Sequence, residues 1–202
     1  MIDYKNTFQF ISKKFKLKNT KRDTVIINID RSDLAELFFE LKFTSGAEIG
    51  VEIGKYSEIL CKANPDLRLF CIDPWKVYRR YIDEDNQRVL DGNFKITKKR
   101  LAPYNCEIIR KSSTGALKDF TPQSLDFVYI DGNHQYEYVL EDLIGWSKVV
   151  KSGGIVSGHD YMSRLKKNRG VTEAVDEYIN KQELKLFRII KNGDSSWFFV
   201  ND

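Results

Sequence analysis

From Gly46 onward the chain alternates between two hydrophobic periods. Short apolar runs at Ala47–Val51, Leu67–Ile72, Cys106–Arg110, Leu125–Ile130 and Gly154–Ser157 have the length of buried strands. Between them apolar residues return at helical spacing: a helix runs through Tyr56–Ala63, and Tyr136, Val139, Leu140, Leu143 and Val150 share one side of another. Strand, turn and helix in repetition predict a parallel sheet covered on both faces. Further on, Val171–Asn180 reads as helix. Leu186–Ile190 and Ser196–Val200, separated by Asn192-Gly193-Asp194, read as a closing β-hairpin that leaves one strand of opposite direction at the sheet edge. Before Gly46, Phe8, Ile11 and Phe15 recur at helical spacing and Val25–Ile29 is a short β-like run. Ser32 then precedes Leu34, Leu37, Phe38 and Leu41 as the cap of an amphipathic helix. Residues 1–45 are thus a helical preface to the unit formed by 46–202, and part of the same unit.

The length, 202 residues, and an apolar share of 42% suit one globular domain with a real core. No run approaches the roughly eighteen apolar residues of a membrane span, and Asn6, Gln9 and Lys13 interrupt the start where a secretory signal would be apolar. A cytoplasmic protein is expected. Cys61, Cys71 and Cys106 form no Cys-x-x-Cys pair, and buried, reduced thiols are their ordinary reading. The net charge of +4 is concentrated near the N-terminus, where Lys5, Lys13, Lys14, Lys16, Lys18, Lys21 and Arg22 face only Asp3. Such a patch is usually a solvated helix face, and alternatively a nucleic-acid contact. Two stretches, Lys76–Lys95 and Tyr161–Gly170, resist assignment and are placed where loops form a binding mouth.

Candidate chemistry gathers at three strand ends. The first is Glu48-Ile49-Gly50-Val51-Glu52-Ile53-Gly54, in which Gly50 permits a tight turn and Gly54 a close approach to the next helix or a ligand. Glu52 stands at the middle glycine position of a dinucleotide fingerprint, so a cationic ligand suits the loop better than a pyrophosphate. The second is Asp73, which can accept ribose hydroxyls or merely start the turn at Asp73-Pro74. The third is a pair: Asp131-Gly132-Asn133-His134 ends the fourth strand and Gly158-His159-Asp160-Tyr161 the fifth. They contain the only two histidines of the chain, each beside an aspartate, and ligands of open α/β sheets bind at these ends. Asp131, His134, His159 and Asp160 are therefore expected to converge.

These motifs, with Cys71-Ile72-Asp73-Pro74-Trp75, Gly153-Gly154 and Gly170-Val171-Thr172-Glu173-Ala174-Val175, resemble class I S-adenosylmethionine-dependent methyltransferases, in the branch of small sugar and macrolide O-methyltransferases. The resemblance implies a Rossmann-like doubly wound α/β sheet of about seven strands, mostly parallel with an antiparallel C-terminal strand. It implies that Glu48, Gly50 and Gly54 border the methionine part of the cofactor, that Asp73 holds the ribose, and that Ser113 lies near the adenine, with Asp131 at the same site. In metal-dependent relatives an aspartate at the fourth strand end binds magnesium with two acidic residues after the fifth. Asp131 and Asp160 match that pattern, while His159 replaces an acid and shifts the preference from magnesium toward manganese, iron or zinc. His134 matches a histidine that acts as general base in related macrolide enzymes.

The expected function is O-methylation of a sugar, glycan or other small molecule. His134 would take the hydroxyl proton, and Asp131 and Asp160 would orient it or hold a cation. Acids such as Glu48 and Glu52 would favour a buried sulfonium. Rival readings are a nicotinamide-dependent oxidoreductase, a hydroxylase-like relative of the same fold, and a nucleic-acid methyltransferase or binding module. A homo-oligomer is left open.

Overall fold

A computed structural model describes residues 4–17, 24–78, 86–163, 165 and 168–202. Lys18, Lys21 and Arg22 of the basic preface, residues 79–85 of the first unassigned loop, and Arg164, Lys166 and Lys167 of the second lie outside the described residues. The elements are α1 (Tyr4–Lys14), β1 (Thr24–Ile27), α2 (Arg31–Glu40), β2 (Ser45–Ile49), α3 (Lys55–Ala63), β3 (Arg68–Ile72), α4 (Gln87–Leu101), β4 (Cys106–Ile109) and α5 (Ser113–Leu117). They continue with β5 (Leu125–Ile130), α6 (Tyr136–Val149), β6 (Val150–Gly158), α7 (Arg169–Gln182), β7 (Leu186–Ile189) and β8 (Trp197–Val200).

One sheet runs in the order β1-β7-β8-β6-β5-β2-β3-β4. It is the expected mostly parallel α/β sheet, with β8 antiparallel to both neighbours. Two details differ from the sequence reading. The short run before Arg31 joins the sheet as an eighth strand, pairing Ile27 with Ile189 of β7. The reversed strand, β8, inserts between β7 and β6, so it lies inside the sheet and not at its edge. Chain order changes direction between β2 and β5, so their carboxyl ends flank the crevice where such sheets take ligands.

Two apolar layers sandwich the sheet. Along β5, Phe127 and Tyr129 face α1–α4, and Val128 and Ile130 face α5–α7, as strand alternation requires. Phe38 of α2 stacks on Phe127 with ring centroids 4.2 Å apart. The preface is tied to the sheet: Ile11 is fully buried in the first layer, and Thr7 Oγ1 donates to the Gly153 carbonyl at 2.7 Å. The cap of α2 is Asp30, not Ser32. Its carboxylate accepts the Ser32 and Asp33 amides while Asp33 accepts the Asp30 amide, a closed box that Ser32, two residues on and already inside the helix, cannot make. The first unassigned stretch ends in α4, capped by Asn86. No described helix is long and apolar enough to cross a membrane.

Candidate active site

A cavity of about 960 Å³ opens at the carboxyl ends of β2, β3 and β5. Its floor is stitched by backbone: Gly50 N donates to Ile72 O at 2.9 Å, and Asp131 N to Ile49 O at 2.7 Å. Gly50 has φ +85°, and a Cβ there would fall 2.1 Å from the Asp131 carbonyl oxygen, so glycine is required on both counts. Asp73 holds the loop that follows. One carboxylate oxygen accepts the Val51 and Glu52 amides, each at 3.0 Å, and the other accepts Trp75 N at 2.7 Å. Burial pushes its pKa up against those amides, which favour the charge. The turn reading of Asp73 is seen directly, and the residue also lines the cavity.

Gly54 is corrected. It does not border the cavity; with φ +73° it lies under α4, its Cβ position 3.3 Å from Thr97 Cγ2 and 3.4 Å from Leu101. Glu52 has an exposed side chain, and its carbonyl is the functional part of the loop, accepting Trp75 Nε1 at 2.8 Å and Thr97 Oγ1 at 2.9 Å. Glu48 lines the cavity but is 2% exposed, and Ser57 Oγ donates to it. Burial pushes its pKa up to about 8, with Asp131 and Asp73 adding to the effect. At neutral pH it is largely protonated and does not supply the anion expected beside a sulfonium. Ser113 lines the far end, donating to Asp142 and accepting Trp146 Nε1 at 2.8 Å. Burial pushes Asp142 up to about 7.

The paired motifs converge as expected. His134 Nε2 lies 3.0 Å from Asp160 Oδ2 and 3.7 Å from Asp131 Oδ1. His159 Nδ1 lies 3.4 Å from Asp160 Oδ1 and 3.9 Å from Asp131 Oδ1. Asp131 and His134 line the cavity, with His159 and Asp160 behind them. Asp160 is held in the left-handed region, φ +61°, a strain that such sites tolerate. Gly170 lets α7 pack on this loop, since a Cβ there would meet His134 O at 2.6 Å.

Burial works against charge on His134, but Asp131 and Asp160 outweigh it and lift the ring to about 9. Burial likewise opposes charge on His159 and on Asp160. The carboxylates raise His159 all the same, and the two imidazoles hold Asp160 well below the usual carboxylate range. Both ring nitrogens of His134 are buried, and neither has a hydrogen bond of good geometry. Asp131, His134 and Asp160 each offer a ligand atom, all within 4.8 Å of one another. His159 is not in that set; His134 takes the place expected for it.

Asp142 and Arg31 line the cavity and escaped the sequence reading, while Tyr78 falls in the stretch that reading placed at the binding mouth. Asp142 sits three residues from Val139 and four from Trp146, so helical spacing alone placed it on the buried face of α6. Tyr78, whose hydroxyl accepts Asn133 Nδ2 at 2.9 Å, faces Tyr138 with ring centroids 6.4 Å apart. Arg31 reaches the cavity from the first turn of α2, with no local signal in the chain around it.

Residues 47–161 match a family described as a methyltransferase domain. No curated protein matches the chain by sequence. Among solved structures, a cofactor-bound protein from MTB is similar with a TM-score of 0.66 at 13% identity, over 98% of this chain and 88% of that one. The O-methyltransferase TomG from Streptomyces achromogenes, involved in tomaymycin synthesis and solved with SAM, gives 0.63 at 16% over 98% and 89%. The O-methyltransferase from Bacillus cereus, solved with SAH, gives 0.62 at 12% over 98% and 90%. At these identities the likeness is one of fold.

Proposed function

The chain belongs to this methyltransferase-domain family, and from that premise we propose that it transfers the methyl group of S-adenosylmethionine to a hydroxyl of a small-molecule acceptor, such as a sugar or glycan. The observation that carries the reading is the acid–imidazole cluster facing a glycine loop across one cavity. Two O-methyltransferases of the same fold were solved with SAM or SAH, which supports the choice of donor.

In the reaction the acceptor oxygen attacks the methyl carbon in line. The carbon–sulfur bond breaks and its electron pair stays on sulfur, leaving a neutral thioether that needs no proton. The hydroxyl proton must pass to a group on the cluster side. With a pKa near 9, His134 is already protonated at neutral pH and can serve as base only after that proton is displaced. A divalent cation fits the residues present, because two carboxylates and a buried imbalance at His134, whose nitrogens lack good hydrogen bonds, form a ready donor set. Asp131, His134 and Asp160 would hold it. When bound it would lower the pKa of the acceptor hydroxyl, and the carboxylate–imidazole set suits manganese, iron or zinc better than magnesium. Asp160 meanwhile orients His134, and Tyr78 and Tyr138 shape the side from which the acceptor enters.

The test is methyl transfer from labelled S-adenosylmethionine to a panel of hydroxylated small molecules, with chelator and with manganese restored. Labelled product that falls with chelator and returns with manganese is expected. Donor consumed without methylated product would point to the hydroxylase-like alternative.

A further inference from the structure

Resting on that cofactor reading, we propose that Arg31 holds the carboxylate of the methionyl end of S-adenosylmethionine. α2 precedes β2 and runs back along it, so its first residue stands at the carboxyl ends of the strands. The backbone of Arg31 is fixed on both sides: its amide donates to Asp194 Oδ2 at 2.9 Å and its carbonyl accepts Tyr56 OH at 3.0 Å. The half-buried guanidinium lies over the Tyr56 ring, 5.4 Å from its centroid, and shares the cavity wall with Glu48, Gly50 and Asp131.

The other cations around the cavity are committed or exposed. Arg110 is bound to Asp91 at 2.6 Å and to the Trp75 carbonyl at 2.9 Å, and Lys111 to Asp119 at 2.6 Å; Lys55 and Lys76 are exposed. Arg31 makes no direct ion pair among the described residues; its guanidinium is within hydrogen-bonding range of the Tyr129 side chain and lies near Asp131 and Asp194. With no carboxylate paired to it, the rest of its planar five-donor fork suits a ligand carboxylate, the partner its geometry matches best.

The sheet order gives the direction. Asp73 and Ser113 lie at the β3 and β4 ends, and Arg31 lies beyond Gly50 toward Asp131. A nucleoside seated by Asp73 and Ser113 sends its amino-acid tail along Gly50 to Arg31. Asp131 and Glu52, which line this cavity, suit the cationic groups of that ligand, whereas its carboxylate needs a cation.

Calorimetric titration with S-adenosylmethionine and with 5′-methylthioadenosine, which keeps the nucleoside and thioether but lacks the amino-acid tail, tests the assignment. Arg31→Met is expected to weaken S-adenosylmethionine about tenfold or more and to leave 5′-methylthioadenosine unchanged. Arg31→Lys, which keeps the charge without the fork, should give a smaller loss with the same selectivity, and serves if Arg31→Met does not fold. Equal loss for both ligands, or loss for neither, overturns the proposal. Wild-type protein that binds neither ligand overturns the cofactor reading itself, and the proposal with it.

Discussion

At the β2–β3 end of the cavity, Asp73 receives three backbone amides and the Glu52 carbonyl receives two side-chain donors. At the β5–β6 end, the His134 ring nitrogens are buried between two carboxylates and neither is well hydrogen-bonded. Both ends are acidic, yet they differ in what their acids do. The first set is satisfied within the protein and builds a shaped surface. The second retains unmet hydrogen-bonding capacity, the condition in which a site can bind a cation or move a proton. The difference teaches that charge alone does not mark the reactive side; unspent hydrogen-bonding capacity does.

The comparison can be broken by substitution on each side. The largest effect is expected at the unsatisfied end: Asp131→Asn and His134→Ala should each lower turnover about a hundredfold or more, beyond any loss of folded protein. Steady-state rates beside thermal melts check this, and unchanged turnover would remove that residue from the chemistry. Next is Gly50→Ala, which joins a positive φ to a clash with the Asp131 carbonyl and should cost about 2–3 kcal/mol in chemical denaturation. Asp73→Asn comes third. It turns one acceptor into a donor facing backbone amides, for about 1–2 kcal/mol, with weaker donor binding as the loop loosens.

A separate effect, confined to one pH window, is expected at Glu48. Its folded pKa is raised to about 8 above an unfolded value of 4.5, so the folded state holds the extra proton between them. Stability from this group is full below about pH 4.5, falls as pH rises toward 8, and is flat above. Glu48→Gln removes that fall. The variant's melting temperature should match wild type near pH 5 and exceed it by several degrees at pH 9; a difference independent of pH would contradict the burial account.

Much of this architecture was legible because its signals are local. The apolar runs and the glycine loop fall within short windows, and the histidine–aspartate pairs are contiguous at strand ends. What stayed hidden depends on tertiary proximity. Arg31 lies about a hundred residues before Asp131 and no spacing links them. The reversed strand lies inside the sheet because β8 inserts between β6 and β7, a strand order that the hairpin pattern does not specify. Gly54 read as a ligand position because the sequence cannot say that α4 crosses there. Cys61 and Cys106, which share no motif, bring their sulfurs to 3.4 Å.

Titration of the wild-type protein with S-adenosylmethionine and, separately, NAD, each with and without manganese, tests the central claim most directly. The account predicts one-to-one binding of S-adenosylmethionine and none of NAD, with manganese bound through Asp131, His134 and Asp160. Binding of NAD with no response to S-adenosylmethionine would contradict it.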